Sequence, residues 1–262
     1  MPGFDLNFKF RQLVYGSALP SLLLGLMLTA CTDAETTTAK TLADIEKSPV
    51  GLYKKTTPSV DGIGKIYMGR EIAGVMGWQG AAWLEREERG REERPDLLLP
   101  ELNLQAGMAV ADIGAGTGYY SRLMSKMVGP KGVVYAVDVQ PQMVSMLKDV
   151  AASAEFSNIK PVLSSVNDVK LSSQSIDLAI MVDVYHELEF PHEVIDSIIR
   201  ALKPGGRVVF VEYRAEDQRV PIKEVHKMTE AQVKQEALTH PLIWERTASV
   251  LPWQHVVIFK KK

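Results

Sequence analysis

The sequence predicts an α/β protein with a doubly wound, mostly parallel β-sheet, and three observations support this. Short apolar runs alternate along the chain with segments whose apolar residues recur at helical spacing. The run at 108–113 ends in three alternating glycines and opens into a helical pattern. The last two runs, 243–250 and 255–259, are joined by a connection too short for a crossover helix, so these strands must be antiparallel.

The same patterns define the elements in chain order. Predicted parallel strands cover 108–113, 132–137, 159–163, 175–182 and 207–212. Apolar residues at i, i+3, i+4 and i+7 predict three helices between them, with stripes beginning at Tyr120, Met143 and Ile195. Gly129 and Pro130 stop the first of these helices.

The glycines after the first strand indicate a ligand-binding loop. Gly114, Gly116 and Gly118 have no Cβ atom and let a ligand approach the main chain closely. The following helix directs free N–H groups and the positive end of its dipole at that ligand. Dinucleotides and S-adenosylmethionine (SAM) both use this geometry. The dinucleotide fingerprint G-x-G-x-x-G needs a third glycine where this chain has Tyr119, so the spacing favours SAM.

The loop resembles motif I of the class I SAM-dependent methyltransferases, D/E-x-G-x-G-x-G, matched by Asp112 and the three glycines. Residues 201–207, Ala-Leu-Lys-Pro-Gly-Gly-Arg, resemble the L-K-P-G-G turn of that family. The resemblance extends over 108–260, within a domain placed at 101–262. It implies a Rossmann-like fold of seven strands in the order 3-2-1-4-5-7-6 with the last strand antiparallel, and SAM as cofactor. Asp112 is then expected to bind the amino end of SAM or to hold the loop.

Asp138 is the predicted ribose-binding residue. It ends the second strand about 20 residues past Gly118, where an acid in a doubly wound fold hydrogen-bonds the ribose hydroxyls. The other predicted cofactor contacts lie at strand ends or in the turns that follow: Val139, Asn167, Asp168 and Val182. By the resemblance Asp168 reads the adenine edge, although Ser165 occupies the position where an acid is common.

The fourth strand delivers the predicted catalytic residues Asp183, Tyr185 and His186 to the carboxyl edge of the sheet, where ligands of open α/β sheets bind. His186 is the candidate general base, because a neutral imidazole accepts a proton near neutral pH. A histidine that only holds the loop is the alternative. Metal-dependent catechol-type methyltransferases place a magnesium carboxylate near Asp183. The H-E-x-x-H zinc pattern fails at Phe190, however, and no metal site is predicted.

Residues 1–30 are predicted to be a lipoprotein signal peptide. Lys9 and Arg11 precede an apolar run that is short for a spanning helix and is interrupted by Pro20. The run ends in Leu-Thr-Ala-Cys, which resembles the bacterial lipobox, and Cys31 is the only cysteine. Lipidation of Cys31 is therefore predicted, and an intrachain disulfide is excluded.

The lipid anchor would make this an extracytoplasmic, membrane-anchored protein. Thr32 follows the cysteine, and by the family sorting rule the absence of Asp there favours the periplasmic face of the outer membrane. Residues 31–60 have no sustained apolar period and predict a flexible tether.

Residues 61–100 are expected to form a helical segment that covers the site. Its charged part, 85–94, has opposite charges at i,i+4 spacing and predicts a solvated helix. Arg70 lies where the family places a segment over the substrate pocket. It is a candidate for contact with an anionic group, with a plain surface arginine as the alternative.

The predicted function is methyl transfer from SAM to a small-molecule acceptor. The formal net charge of −2 and the scattered basic residues argue against a nucleic-acid partner. A nicotinamide oxidoreductase is disfavoured by Tyr119 and the terminal hairpin. Because SAM is made in the cytoplasm and a fold does not imply a function, a non-catalytic extracytoplasmic lipoprotein that binds a SAM-like ligand is the alternative.

Overall fold

The computed structural model describes residues 51–262, which form a small sheet followed by a larger sheet flanked by helices. The predicted signal peptide, Cys31 and the tether up to residue 50 lie outside the described residues. Within the described part of the chain, no helix combines the length and the apolar character needed to cross a bilayer.

The small sheet differs from the prediction. Its three antiparallel strands are β1 (Tyr53–Lys55), β2 (Gly62–Tyr67) and β3 (Arg70–Ala73). Met68 and Gly69 join β2 to β3 with positive φ angles of 47° and 101°, the conformation of a two-residue hairpin turn. The segment 61–100 therefore begins as a hairpin instead of a helix, and the predicted tether 31–60 includes a strand. Gly69 is the turn signal that the helical interpretation overlooks.

Three short helices follow: α1 (Ala81–Leu84), α2 (Arg89–Glu93) and α3 (Pro95–Glu101). The continuous solvated helix predicted over 85–94 is wrong. Arg94 has a left-handed φ of 51°, which separates α2 from α3, and Pro95 begins α3 in the position where its missing N–H costs nothing.

The larger sheet and its helices occupy the rest of the chain. In order, the elements are β4 (Ala109–Ile113), α4 (Tyr119–Val128), β5 (Val133–Asp138), α5 (Pro141–Ala151), β6 (Ile159–Leu163), β7 (Ile176–Val182), α6 (Pro191–Ala201), β8 (Leu202–Tyr213), α7 (Glu230–Ala237), β9 (Leu242–Ala248) and β10 (Gln254–Lys261). The strand order is β6-β5-β4-β7-β8-β10-β9, and β10 is antiparallel to both neighbours. Counted from β4, this is the predicted order 3-2-1-4-5-7-6, so the fold class is confirmed.

The core lies on both faces of this sheet, as expected for parallel strands covered by helices. All five residues of β4 are buried. On one face β4 and β5 pack against Met124 and Val128 of α4, and on the other β7 and β8 pack against Ile195 and Ile198 of α6. With both faces closed, ligands have access to the sheet at the carboxyl ends of its strands.

The Lys-Pro-Gly-Gly segment is part of a strand. β8 begins at Leu202, directly after α6, and its pairing with β7 shifts register between Ile176 and Leu178. Gly205 takes a φ of +73° inside this irregularity. The segment that resembles a turn in the sequence therefore forms a bulge at the start of β8, with its glycine at positive φ.

We expect Gly205→Ala to lower the free energy of unfolding by about 1 kcal/mol, because left-handed backbone costs an L-residue roughly that much. The new Cβ has room, since its nearest neighbour is Lys260 Cε at 3.4 Å. Urea denaturation measures the change. Gly205→Asn is the matched control and should lose less, because asparagine tolerates this conformation. Equal losses for the two variants would contradict a backbone origin.

Candidate active site

The carboxyl ends of β4, β5, β7 and β8 open into a cavity of about 680 Å³. That volume is in the range of small-molecule and cofactor sites. Residues from β2, β3, α1 and α2 also line the cavity. Eight of the predicted site residues lie in its wall: Asp112, Gly114, Gly116, Asp138, Val139, Val182, Asp183 and His186.

The glycine loop divides into two parts. Gly114 and Gly116 line the cavity with φ angles of 69° and 56°. A Cβ on Gly114 would lie 2.6 Å from the side chain of Val184, so this position excludes larger residues by packing as well as by conformation. Gly118 does not line the cavity. Its backbone begins α4, and a Cβ there would lie 2.8 Å from Leu147, so it serves helix packing instead of the predicted contact with the cofactor.

Asp138 is held by the backbone around it. Its Oδ2 accepts the N–H of Gly116 and its Oδ1 accepts the N–H of Gln140, both at 2.9 Å. Burial raises the pKa of Asp138, and these backbone donors oppose that rise. Each carboxylate oxygen can accept a second hydrogen bond. The residue therefore fits the hydroxyl pair of a ribose.

Asp112 joins the end of β4 to the first turns of α4. Its Oδ2 accepts a hydrogen bond from the Ser121 hydroxyl at 2.6 Å, and its side chain is in the cavity wall. Burial raises the pKa of Asp112 to about 6, with a smaller contribution in the same direction from the charge of Asp138. Of its two predicted roles, holding the loop is visible directly in this contact.

The predicted adenine contacts do not reach the cavity. Asp168 binds Arg200 at 2.9 Å and accepts the N–H of Lys170, and neither it nor Asn167 lines the wall. The turn folds back so that the Ser165 N–H donates to the Asp168 carbonyl, which leaves Ser165 at the cavity. The assignment of Asp168 to adenine is therefore wrong in this geometry.

Asp183 and Tyr213 line the cavity and each carries a buried polar atom without a partner among the described residues. Asp183 is half-buried with a φ of 55°, and its Oδ2 accepts a hydrogen bond from Gln254 Nε2 at 3.1 Å. Its Oδ1 and the Tyr213 hydroxyl have no partner among the described residues. Burial raises the pKa of Asp183 well above its usual value, helped by the charges of Glu93 and Glu212. Buried polar groups without partners are rare, and a bound water, an ion or a catalytic role is their usual explanation.

His186 is fixed by a buried carboxylate. Its Nδ1 lies 2.5 Å from Glu212 Oε2, and Glu212 Oε1 accepts the N–H of Tyr185 at 2.8 Å. Since a carboxylate accepts, the network assigns the imidazole proton to Nδ1, and the lone pair of the neutral ring lies on Nε2. Tyr185 is not in the cavity wall, because its ring packs edge-on against Phe210 in the core. The predicted catalytic role of Tyr185 is not supported by this position.

Arg70 stabilises the same loop from the hairpin side. Its guanidinium binds both carboxylate oxygens of Glu236, at 2.7 and 3.0 Å, and donates to the His186 carbonyl at 3.2 Å. The anionic group that Arg70 meets is therefore a protein carboxylate in α7, and Arg70 is neither a ligand contact nor a plain surface residue.

Sequence reasoning missed a buried ion pair in the cavity wall. Arg89 donates from Nε to Glu93 Oε2 at 2.9 Å, and both residues are more than nine-tenths buried. The Arg89 guanidinium stacks on the rings of Tyr119 and Tyr120, which begin α4. The i,i+4 spacing of Arg89 and Glu93 is visible in the sequence. Their burial is not, because the aromatic partners are distant in the chain.

Two further cavity residues were not predicted. Glu187 follows His186, and His226 lies in a short 3₁₀ turn, Glu224–His226. His226 Nδ1 is 3.2 Å from His186 Nε2 across 40 positions of sequence. A separation of that length has no local pattern, so only the fold brings the two rings together.

The chain is similar to known methyltransferases. Residues 104–254 match the family described as Methyltransferase domain. An arsenite methyltransferase of Halobacterium salinarum is 31% identical over 39% of this chain and 26% of its own length. A protein-L-isoaspartate O-methyltransferase of Methanothrix thermoacetophila is 31% identical over 41% of this chain and 49% of its own length. The chain thus spans about a quarter to a half of these curated relatives.

The fold comparison agrees. The structure of a SAM-dependent methyltransferase from Aquifex aeolicus superposes with a TM-score of 0.68 at 26% identity, covering 72% of this chain and all of that one. The glycine loop and the ribose-type carboxylate fit SAM. The chain belongs to the methyltransferase domain family, and its cofactor is SAM.

Proposed function

We propose that this chain transfers the methyl group of SAM to a small-molecule acceptor bound in the same cavity. The observation that carries the proposal is the shape of the site. Asp138 and His186 share one cavity, which residues of the hairpin and of α1 and α2 also line. A concave site of this size suits a small acceptor better than a protein side chain presented on a large surface.

The names of the relatives do not decide the acceptor. One is named for arsenite and another for isoaspartate in a protein, and both are matched over only part of their length. The acceptor class proposed here therefore rests on the cavity.

SAM supplies a methyl group on a cationic sulfur that is already a good leaving group. The chain's contribution is then mainly to bind and align the two reactants. Asp138 orients the ribose, and Asp112 and the glycine loop fix the end of β4. The Nε2 lone pair of His186 is the chemical group available to activate the acceptor's nucleophilic atom.

We expect Asp138→Ala to raise the SAM dissociation constant at least tenfold, about 1.4 kcal/mol, because the ribose hydroxyls lose their acceptor. Calorimetric titration of the full-length chain measures this. Asp168→Ala is the matched control. Asp168 is also an acid predicted to bind SAM, but it lies outside the cavity wall, so its removal should change the SAM dissociation constant less than twofold. The reverse ranking of the two variants would contradict the assignment.

We expect methyl-labelled SAM, the protein and a crude metabolite extract to yield labelled product that passes a small-pore filter. His186→Ala should reduce the amount of labelled product at least a hundredfold, because loss of a group that activates the acceptor typically slows a reaction by that factor or more. The SAM dissociation constant should stay within about twofold. Label retained only with macromolecules would refute a small acceptor. SAM binding with no label transfer to any fraction would favour the non-catalytic binding alternative.

We further propose that Cys31 carries a lipid that anchors the domain outside the cytoplasm, at the periplasmic face of the outer membrane. The Leu-Thr-Ala-Cys sequence supports this location. An extracytoplasmic methyltransferase requires a source of SAM outside the cytoplasm. Metabolic labelling with a palmitate analogue should mark the wild-type chain and not Cys31→Ser, and fractionation should place only the wild type in the outer membrane. Equal distribution of the two chains would contradict the anchor.

A further inference from the structure

We propose that His186, Glu187 and His226 form a binding site for a divalent cation of the zinc type in the wall of the cofactor cavity. The three residues come from the loop after β7 and from the 3₁₀ turn Glu224–His226. Two imidazoles and one carboxylate form a ligand set typical of catalytic zinc sites, which keep a further position open for water or substrate.

The distances between the ligand atoms suit one shared cation. His186 Nε2 is 3.2 Å from His226 Nδ1, and Glu187 Oε1 is 3.4 Å from His226 Nδ1 and 3.8 Å from His186 Nε2. Atoms that bind zinc tetrahedrally at about 2.0–2.1 Å lie about 3.4 Å from each other. The three ligand atoms therefore need only small adjustments to share one zinc ion.

The protonation of His186 leaves a lone pair that a cation can bind. Because Nδ1 donates to Glu212, Nε2 carries a lone pair, and that lone pair faces the Nδ1 of His226. The rings are nearly perpendicular, at 83°, with centroids 5.2 Å apart, so the two nitrogens converge instead of stacking past each other. A cation accepts both lone pairs, whereas a hydrogen bond between the rings requires His226 to carry its proton on Nδ1.

The surroundings hold the proposed ligands in place. Zinc-binding histidines commonly donate their other N–H to a carboxylate, which fixes the ring and raises its basicity. Glu212 has this position on His186, and it is itself buried and bound to the Tyr185 N–H. The carboxylate of Glu187 is likewise oriented, because its Oε2 accepts the N–H of Met76 at 3.2 Å.

The site deepens the proposed function, on which this step rests, by favouring acceptors that carry a hydroxyl group. With the cation bound, the Nε2 lone pair of His186 is a metal ligand, so His186 would activate the acceptor through the cation instead of as a base. The cation would bind and polarise the hydroxyl oxygen, and the hydroxyl proton would leave to water. An oxygen lone pair forms the new C–O bond, the S–CH₃ bond breaks, and its electron pair stays on sulfur. The products are an O-methylated acceptor, S-adenosylhomocysteine and a proton.

The test is calorimetric titration of the full-length, chelator-treated chain with Zn²⁺ in the absence of SAM. We expect one cavity site per chain, with the dissociation constant raised at least tenfold by His226→Ala and by Glu187→Gln. Glu212→Gln should also raise it about tenfold or more, since loss of a supporting carboxylate typically costs 10–100-fold in metal affinity. His226 is at the edge of the cavity and partly exposed, so its substitution should leave the fold intact, which circular dichroism checks.

His192→Ala is the matched control. Among the described residues, a second histidine–carboxylate group consists of His192, Asp196 and His240, and this variant alters it. There the imidazole rings of His192 and His240 are tilted relative to each other, with centroids 4.5 Å apart. This variant should bind Zn²⁺ in the cavity like the wild type. Absence of Zn²⁺ binding, or wild-type affinity in both His226→Ala and Glu187→Gln, would overturn the inference. If the chain binds SAM but no Zn²⁺, the cation site is refuted and the proposed function stands. If it binds Zn²⁺ but not SAM, the proposed function is refuted and the cation site stands.

Discussion

The site is constrained by four acids at the carboxyl ends of four adjacent strands. Asp138 ends β5, Asp112 lies in β4, Asp183 follows β7 and Glu212 is near the end of β8. A parallel sheet brings these ends to one edge, so the carboxylates are buried near each other. Burial raises the pKa of the three aspartates, and each of the four acids accepts at least one hydrogen bond from a nearby donor. Burial of these acids without such donors would cost several kcal/mol each.

This concentration of acids explains the course of the N-terminal segment. Arg89 brings a buried positive charge to the wall, and its charge opposes the rise in the pKa of both Asp112 and Asp183. Arg89 can be buried because Glu93 neutralises it and the ring faces of Tyr119 and Tyr120 cover it. Arg89 and Glu93, in the charged run that predicts a solvated helix, are therefore buried in the cavity wall. Their partners Tyr119 and Tyr120 are distant in the sequence, so no local pattern predicts this burial.

The sequence predicts well what period and strand ends determine. The alternation of elements and the short final connection suffice for the fold class, whereas the strand order comes from the resemblance to the class I methyltransferases. The strand-end rule suffices to place Asp138, Asp183 and His186 at one cavity. Prediction from the sequence fails where the position of a side chain depends on partners that are distant in the chain. Asp168 turns away to Arg200, and His226 reaches His186 only through the fold. The hairpin was missed for a different reason, because a positive φ at Met68 and Gly69 is a conformational requirement that apolar spacing does not record.

The charge balance of the cavity connects its two proposed ligands. Among the described residues, six acidic side chains line the wall against two basic ones, Arg89 and Lys223. Both basic residues already bind carboxylates, Arg89 at Glu93 and Lys223 at Asp61, so neither is free to balance the aspartates. SAM would bring a sulfonium and an ammonium group to this surplus of acids, and a divalent cation at His186, Glu187 and His226 would neutralise a further part of it. Glu212 lies behind this wall, where its buried carboxylate fixes the His186 tautomer that leaves Nε2 available to a cation.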